Sequence, residues 1–176
     1  MLRDAHGPLP LEAATNGDVA ARCDVIFLCV PFSGAGDMLE AHRSQFRARL
    51  LLIDVTVPLV FHGGIPGVIQ VPEGSAAEFV RARIPAGVRL AAALKTIPAS
   101  ILGTLDVPLD CDDFVCGDSA EVRGETIELL RRIPTLRPVD AGGLDAARTI
   151  ERMTALVIAL NKRYKVRNAR FRVLGI

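Results

Sequence analysis

Runs of consecutive apolar residues, separated by stretches of mixed polarity, dominate the pattern of this chain. The strongest runs cover residues 25–30, 50–55 and 88–94. Uninterrupted apolar runs of this length are typical of strands buried on both faces of a sheet. Shorter runs at residues 113–116 and 136–139 predict two further strands. The chain is therefore expected to be built around a sheet of about five strands.

The stretches between these runs have the spacing and capping signals of helices. Residues 33–45 follow the first strand, and Ser75 with Glu78 forms an S-x-x-E capping box for a helix to about Arg83. Asp118, three residues before Glu121, is expected to cap a helix that ends near residue 132. Because helices alternate with strands, the pattern predicts an α/β fold with a mostly parallel sheet.

A long closing helix is predicted over residues 144–165. Its expected packed face consists of apolar or aromatic residues at three- and four-residue steps: Ile150, Met153, Val157, Leu160 and Tyr164. Residues 1–24 are predicted to be a poorly structured lead with at most a short helix. The glycines at 63, 64 and 67 predict a flexible surface loop, since no strand directly precedes them and no G-x-G-x-x-G is present.

Three of the predicted strands end in turns that contain proline. Proline ends a strand or opens a helix, because its φ is fixed and it cannot donate a backbone hydrogen bond. The turns should meet at the carboxyl edge of a parallel sheet, where ligands bind in open α/β folds. They offer backbone groups, threonine hydroxyls and apolar surface, which suits a flat hydrophobic cofactor ring. The three turns are Val30-Pro31-Phe32, Val55-Thr56-Val57-Pro58 and Thr96-Ile97-Pro98-Ala99.

Length and composition favour one compact domain over residues 1–176. Half of the 176 residues are hydrophobic, 23% are charged, and the formal net charge is +1. This balance argues against a nucleic-acid-binding surface, and no apolar run is long enough to predict a membrane span. A basic cluster at residues 162–172 is either a solvated helix end and tail or a phosphate-binding patch.

The residue types that commonly hold metals or act as acids and bases are scattered. Cys23, Cys29, Cys111 and Cys116 have C-x5-C spacing without nearby histidine, so we expect reduced thiols in a cytoplasmic protein. His6, His42 and His62 are expected on the surface. The acidic run Asp110, Asp112 and Asp113 is interpreted as a solvated turn in preference to a cation site.

Several segments, taken together and in order, resemble the NADPH-dependent oxidoreductases of the deazaflavin coenzyme F420. They are C-D-V-I-F-L-C-V-P, I-D-V-T-V-P-L, G-S-A-A-E, A-L-K-T-I-P-A, V-C-G-D-S-A-E, L-R-P-V-D-A-G and A-L-N-K-R-Y-K. The resemblance implies a Rossmann-like domain with NADP and coenzyme F420 as cofactors. It implies that Pro31, Phe32, Val57 and Pro58 border the nicotinamide. Thr96, Ile97, Pro98 and Ala99 would face the deazaflavin.

The chain departs from this family pattern before its first strong strand. The family begins with a strand, a glycine-rich phosphate loop and a helix, a unit of roughly 30 residues or more, whereas 24 residues precede Val25. We therefore expect a fold that is N-terminally truncated relative to the family. Such a fold would leave an apolar sheet edge exposed, and a homodimer could cover it.

Three functions remain open on the sequence. The first is hydride transfer between NADP(H) and F420, which needs no side-chain acid or base because the cofactors supply the chemistry. The second is a non-catalytic remnant that binds deazaflavin or nucleotide. The third is a dehydrogenase or reductase of a small carbonyl or imine substrate. That reaction would need a proton donor, for which Lys95 is the nearest candidate unless it faces solvent.

Overall fold

The structure of the chain is a computed structural model that describes Arg3–Asp4, Gly7–Pro8 and residues 11–104 and 107–176. The strands are β1 (Arg3–Asp4), β2 (Gly7–Pro8), β3 (Val25–Leu28), β4 (Leu51–Asp54), β5 (Leu59–His62), β6 (Ile65–Val68), β7 (Arg89–Ala92), β8 (Cys111–Gly117) and β9 (Leu136–Gly142). The helices are α1 (Asn16–Arg22), α2 (Phe32–His42), α3 (Ala76–Arg83), α4 (Ala99–Leu102), α5 (Ala120–Leu130) and α6 (Ala147–Tyr164).

The central sheet has five strands in the order β3-β4-β7-β8-β9. β3, β4 and β7 are parallel to one another, and β8 is parallel to β9, but β8 runs antiparallel to β7. The predicted mostly parallel sheet with flanking helices, a Rossmann-like α/β fold, is confirmed. The reversal of β8 was not predicted, because the apolar run that forms it has the same pattern in either direction.

Side chains of the central strands point alternately to the two faces of the sheet and fill a core on each face. In β4, Leu51 and Ile53 pack with α5, whereas Leu52 and the preceding Leu50 pack with α2 and α3. Successive side chains of a strand point to opposite faces, so four consecutive apolar residues supply two cores at once. A third cluster, which includes Ala147 and Ile150, joins α6 to the sheet.

The first strand of this sheet, β3, lies at its edge. Among the described residues it pairs only with β4. Val25 and Phe27 are 37% and 39% exposed, although their apolar character is typical of a buried strand. The expected exposed apolar edge is therefore present.

The glycine-rich stretch forms an antiparallel hairpin, β5–β6, and the prediction of a flexible surface loop was wrong. Gly63 and Gly64 occupy its two-residue turn with φ of 57° and 77°. Two successive positive φ angles are the requirement of a type I′ hairpin turn, and glycine meets it without steric cost. The N-terminal lead likewise contains the predicted short helix, α1, and the unpredicted two-residue strands β1 and β2.

The capping predictions had different outcomes. Ser75 caps α3 as expected, since its side chain accepts a hydrogen bond from the Glu78 backbone amide. Asp118 does not cap α5; Ser119 does. Asp118 accepts instead from the Leu90 backbone amide and pairs with Arg81.

The packed face of α6 differs from the predicted apolar stripe. Ile150 and Val157 are buried as expected, but Tyr164 is 68% exposed. Glu151 and Thr154 are buried on the same helix, and neither was predicted to be.

Two further predictions concern charged residues. The interpretation of the acidic run as a solvated turn was wrong, because Asp112 and Asp113 are fully buried in β8. Asp112 forms a bidentate pair with Arg137, and the C-terminal tail packs beside it through the Val173 backbone amide. The backbone of the tail therefore packs on β8, whereas most of the basic side chains at residues 162–172 are exposed, as expected for a solvated helix end.

The described part of the chain contains no group of histidine, cysteine and acidic residues arranged to hold a metal ion. Within the same residues, no helix is long and apolar enough to cross a membrane. His62 is exposed and His42 is half-buried beside Gln45, whereas His6 lies outside the described residues.

Candidate functional site

A cleft of about 630 Å³ lies at the carboxyl ends of β3, β4 and β7. Its lining residues come from the segments that follow the three strands and from one side of α6. They are mostly apolar, and the polar members are threonines, one lysine, one asparagine and one cysteine. In an open α/β sheet this edge is the usual position for a ligand.

Seven of the eight residues predicted to contact cofactors line this one cleft: Pro31, Phe32, Val57, Thr96, Ile97, Pro98 and Ala99. They come together because the parallel strands β3, β4 and β7 all end at this edge. Pro58 does not line the cleft. It is buried next to it, and its carbonyl accepts a hydrogen bond from the Ile69 backbone amide.

The fourth wall of the cleft, which α6 supplies, was not predicted from the sequence. Thr154, Val157, Ile158 and Asn161 lie along it at helical spacing. Asn161 also fixes the tail, since its Oδ1 accepts from the Ala169 backbone amide at 2.9 Å. The helical period identified a packed face, but it could not distinguish packing on the sheet from lining a ligand site.

A buried group of charges lies beneath the cleft. Lys95 Nζ donates to Asp54 Oδ2 at 2.7 Å and to the Thr56 carbonyl, and it lies 3.2 Å from Glu151 Oε1. Asp54 Oδ1 accepts from the backbone amide and the hydroxyl of Thr56. Glu151 Oε2 accepts from the Ala76 backbone amide at the start of α3. The network thus joins the ends of β4 and β7 to α3 and α6.

The ionisation of this network follows from burial and from mutual attraction. Burial acts against the charge of Lys95, but the carboxylates of Asp54 and Glu151 outweigh it, and the pKa of Lys95 is raised. Burial raises the pKa of Glu151, an effect that Lys95 and the Ala76 amide offset only in part. The raised pKa of Lys95 and the raised pKa of Glu151 are compatible, because one ammonium only partly compensates the charge of two buried carboxylates.

Lys95 is not available to the cleft as a free proton donor. Its side chain is fully buried, so the alternative that it faces solvent is wrong. Its ammonium already has three oxygen partners. A reductase of a carbonyl or imine that relied on Lys95 would have to break a buried ion pair first, and this arrangement disfavours that function.

A third buried carboxylate near the cleft, Asp113, holds the turn after β7. Both of its oxygens accept from the Leu94 backbone amide, at 2.9 and 2.8 Å. Burial raises the pKa of Asp113 to about 6, although its backbone hydrogen bonds act in the opposite direction. Asp113 reaches this position because β8 is antiparallel to β7 and Cys116 pairs with Ala92, so the residues of β8 before Cys116 run beside the turn that follows β7.

The hydroxyl of Thr96 differs from the other buried polar groups around the cleft. Thr96 is almost fully buried, and its Oγ1 has no hydrogen-bond partner among the described residues. A buried polar group without a partner is unfavourable by about 1–3 kcal/mol. Such groups occur where a ligand can provide the missing partner.

Comparison with known proteins assigns this chain to a family. Residues 3–58 match the model of the family described as NADP oxidoreductase, coenzyme F420-dependent. The F420-dependent NADP reductase of Methanothermobacter thermautotrophicus is 40% identical over 174 residues, which are 96% of this chain and 73% of that protein. The chain belongs to the F420-dependent NADP reductase family. The reductase of Methanothermobacter marburgensis is 34% identical, over 96% of this chain and 76% of that protein.

Solved structures agree with this assignment at the level of the fold. A candidate F420-dependent NADP-reductase from Arthrobacter sp. FB24 superposes with a TM-score of 0.81 and 24% identity, covering 92% of this chain and 74% of that one. A Sinorhizobium meliloti protein of unassigned function has a TM-score of 0.64 and 21% identity, over 77% of this chain and 64% of that one. The family resemblance noted in the sequence is confirmed.

Proposed function

We propose that this chain is an oxidoreductase that transfers hydride between NADP(H) and coenzyme F420 in the cleft at the ends of β3, β4 and β7. The observation that supports the proposal most directly is the lining of the cleft. It is largely apolar and lies at the ligand-binding edge of the sheet, and its one charged member among the described residues, Lys95, is already paired with buried carboxylates. Family membership supports the same two cofactors.

The residues of the cleft fit flat cofactor rings. Pro31, Phe32 and Val57 offer apolar surface on one side, and residues 96–99 offer it on the other. The unpaired hydroxyl of Thr96 is a polar group for which a ring substituent would be a suitable partner. We propose, as the resemblance implies, that the first side borders the nicotinamide, together with Pro58 behind it. The second side then faces the deazaflavin.

The protein's part in such a reaction is to bind, orient and exclude water. Bound nicotinamide and deazaflavin rings supply the donor and the acceptor of the hydride, so no side chain has to exchange a proton with them. Apolar walls remove water from the rings and hold them in close approach, which accounts for a large share of the rate in transfers of this kind. The full coordination of Lys95 by oxygens is consistent with a site that needs no proton donor.

We also propose that the chain forms a homodimer and acts in the cytoplasm. A homodimer that pairs its β3 strands would cover Val25 and Phe27, the apolar residues at the sheet edge. The chain would act as a single domain in the cytoplasm, where its four free cysteines would stay reduced.

The test is a titration of the purified chain with coenzyme F420, followed by fluorescence, with NADPH then added and absorbance recorded. Saturable binding and NADPH-dependent loss of the F420 absorbance are expected. Binding without reduction would support the alternative of a non-catalytic deazaflavin-binding protein. An absence of binding would overturn the proposal for this chain.

A further inference from the structure

The turn formed by residues 94–99, which is one wall of the cleft, is held mainly by side chains from other elements. Thr154 of α6 donates to the Lys95 carbonyl at 2.9 Å. Asp113 of β8 accepts from the Leu94 amide with both oxygens. Leu94 itself has a φ of 56°, a conformation that a leucine keeps only where its surroundings hold it. The shape of this wall therefore depends on α6 and β8.

The opposite wall is attached to the same buried network. Lys95 Nζ binds the Thr56 carbonyl, and Asp54 fixes the amide and the hydroxyl of Thr56. Glu151 completes the network from α6 and connects it to α3 through the Ala76 amide. Hydrogen bonds in a buried site are stronger than in water, so movement of one wall is resisted by the others.

We propose that Lys95, Glu151 and Thr154 are positioning residues of the cleft. They set the separation of residues 55–57 from residues 94–99 before any ligand binds. The inference rests on the proposed function, because a fixed separation matters only if a flat ring has to fit between the walls. A preformed site avoids the entropy loss of ordering its walls on binding, so the network contributes to affinity by holding the walls in place.

A residue that only stabilises the fold would have a different effect. It would lower the free energy of unfolding but leave the turn and the affinity for F420 unchanged in the folded protein. Thr126 provides a matched comparison, since it is a buried threonine whose hydroxyl donates to the Val122 carbonyl at 2.8 Å inside α5. Thr154 lines the cleft, whereas Thr126 and Glu151 do not, so hydrogen exchange without ligand and a variant of Glu151 separate positioning from direct contact with the ligand.

The experiment compares Thr154→Val, Thr154→Ser and Thr126→Val in the full chain. The first measurement is amide hydrogen exchange of residues 94–99 without ligand, and the second is the F420 dissociation constant from fluorescence. In Thr154→Val we expect faster exchange in the turn and an F420 affinity about three- to tenfold weaker, because one buried hydrogen bond is lost. Thr154→Ser keeps the hydroxyl, so its exchange rates and its F420 affinity should match those of the unaltered chain. Thr126→Val should change neither quantity.

Glu151→Gln is a second variant that keeps the shape of the side chain while it removes the charge opposite Lys95. It should also speed exchange in the turn. If neither Thr154→Val nor Glu151→Gln loosens the turn more than Thr126→Val does, the positioning role is wrong. It is also wrong if the turn loosens while the affinity stays unchanged. If the unaltered chain does not bind F420, the proposed function fails, and the exchange comparison alone decides whether the network holds the turn.

Discussion

Lys95 Nζ lies 2.7 Å from Asp54 Oδ2, and both side chains are completely buried. Asp54 is the last residue of β4, Lys95 follows the neighbouring parallel strand β7, and the two residues lie 41 positions apart in the sequence. Lys95 is among the residues that line the cleft, but its ammonium is held by the buried oxygens of Asp54 and Glu151. The pair therefore shapes the site as part of its scaffold.

Replacing Lys95 with methionine should destabilise the fold strongly. The substitution leaves the carboxylates of Asp54 and Glu151 buried without a cation, and removal of one partner from a buried ion pair typically costs about 3–5 kcal/mol. Urea unfolding followed by circular dichroism measures the change. The control is Lys162→Met, since Lys162 is exposed and donates only to the Gly64 carbonyl. A similar loss in both variants would contradict the buried network.

Asp113 predicts a pH dependence of stability. Burial raises its pKa from 3.8 to about 6 in the folded state, so the folded protein holds this proton more tightly than the unfolded chain. The group therefore contributes stability below about pH 4, and that contribution is lost as the pH rises through 6. Relative to Asp113→Asn, the free energy of unfolding of the unaltered chain should fall by about 2 kcal/mol between pH 4 and pH 7.

The neighbouring residue Asp112 provides a control of opposite sign. Its hydrogen bonds to Arg137 hold the pKa of this carboxyl below 3.8. Asp112 therefore contributes stability above pH 4 that is lost as the pH falls. Asp112→Asn should be less stable than the unaltered chain at pH 7, and the difference should shrink towards pH 3. If both variants show the same trend, the assignment of Asp113 as a desolvated carboxyl is wrong.

Filling the cleft should prevent cofactor binding without loss of stability. Ala99 is the first residue of α4, is exposed, and lines the cleft. Ala99→Phe should weaken F420 binding by about tenfold or more, because the ring occupies space that the ligand needs. Ala120→Phe is the matched control, since Ala120 is the exposed first residue of α5 and lies outside the cleft. Equal affinities in the two variants would argue against this cleft as the F420 site.

The sheet edge offers a test of the homodimer. A lysine at Phe27 would place a charge in the proposed β3–β3 contact, a device by which natural edge strands avoid pairing. Phe27→Lys should shift the chain from dimer to monomer in light scattering coupled to gel filtration. Phe61→Lys introduces the same change at an exposed phenylalanine of β5, and it should leave the mass unchanged. A monomeric unaltered chain would refute this interface.

The thiols should fall into two classes. Cys23 and Cys29 are partly or largely exposed, whereas Cys111 and Cys116 are buried. Burial raises the pKa of Cys111 to about 11 and that of Cys116 to about 12, so neither forms the reactive thiolate at neutral pH. An aromatic disulfide reagent should therefore titrate two thiols in the folded chain and four after unfolding. Rapid reaction of all four in the folded chain would contradict the burial of β8.

The sequence alone determined the five strands of the central sheet, the turns at the ends of three of them, and the family. The apolar runs that became β3, β4 and β7 are local features, and a proline after a strand ends it whatever the rest of the chain does. Parallel strands end at one edge, so seven of the eight predicted residues came together in one cleft. These properties depend on neighbours in the sequence and on one general rule of topology.

Only the tertiary structure decided which charged residues are buried. Lys95, Asp113 and Glu151 look like surface residues, because an isolated charge is too costly to bury and each partner lies far away in the sequence. The antiparallel direction of β8 brings Asp113 to the Leu94 amide, and the packing of α6 brings Glu151 to Lys95. The periodicity of apolar residues along the sequence predicts neither of these two contacts. The scaffold beneath the cleft therefore depends on long-range contacts that exist only once the chain has folded.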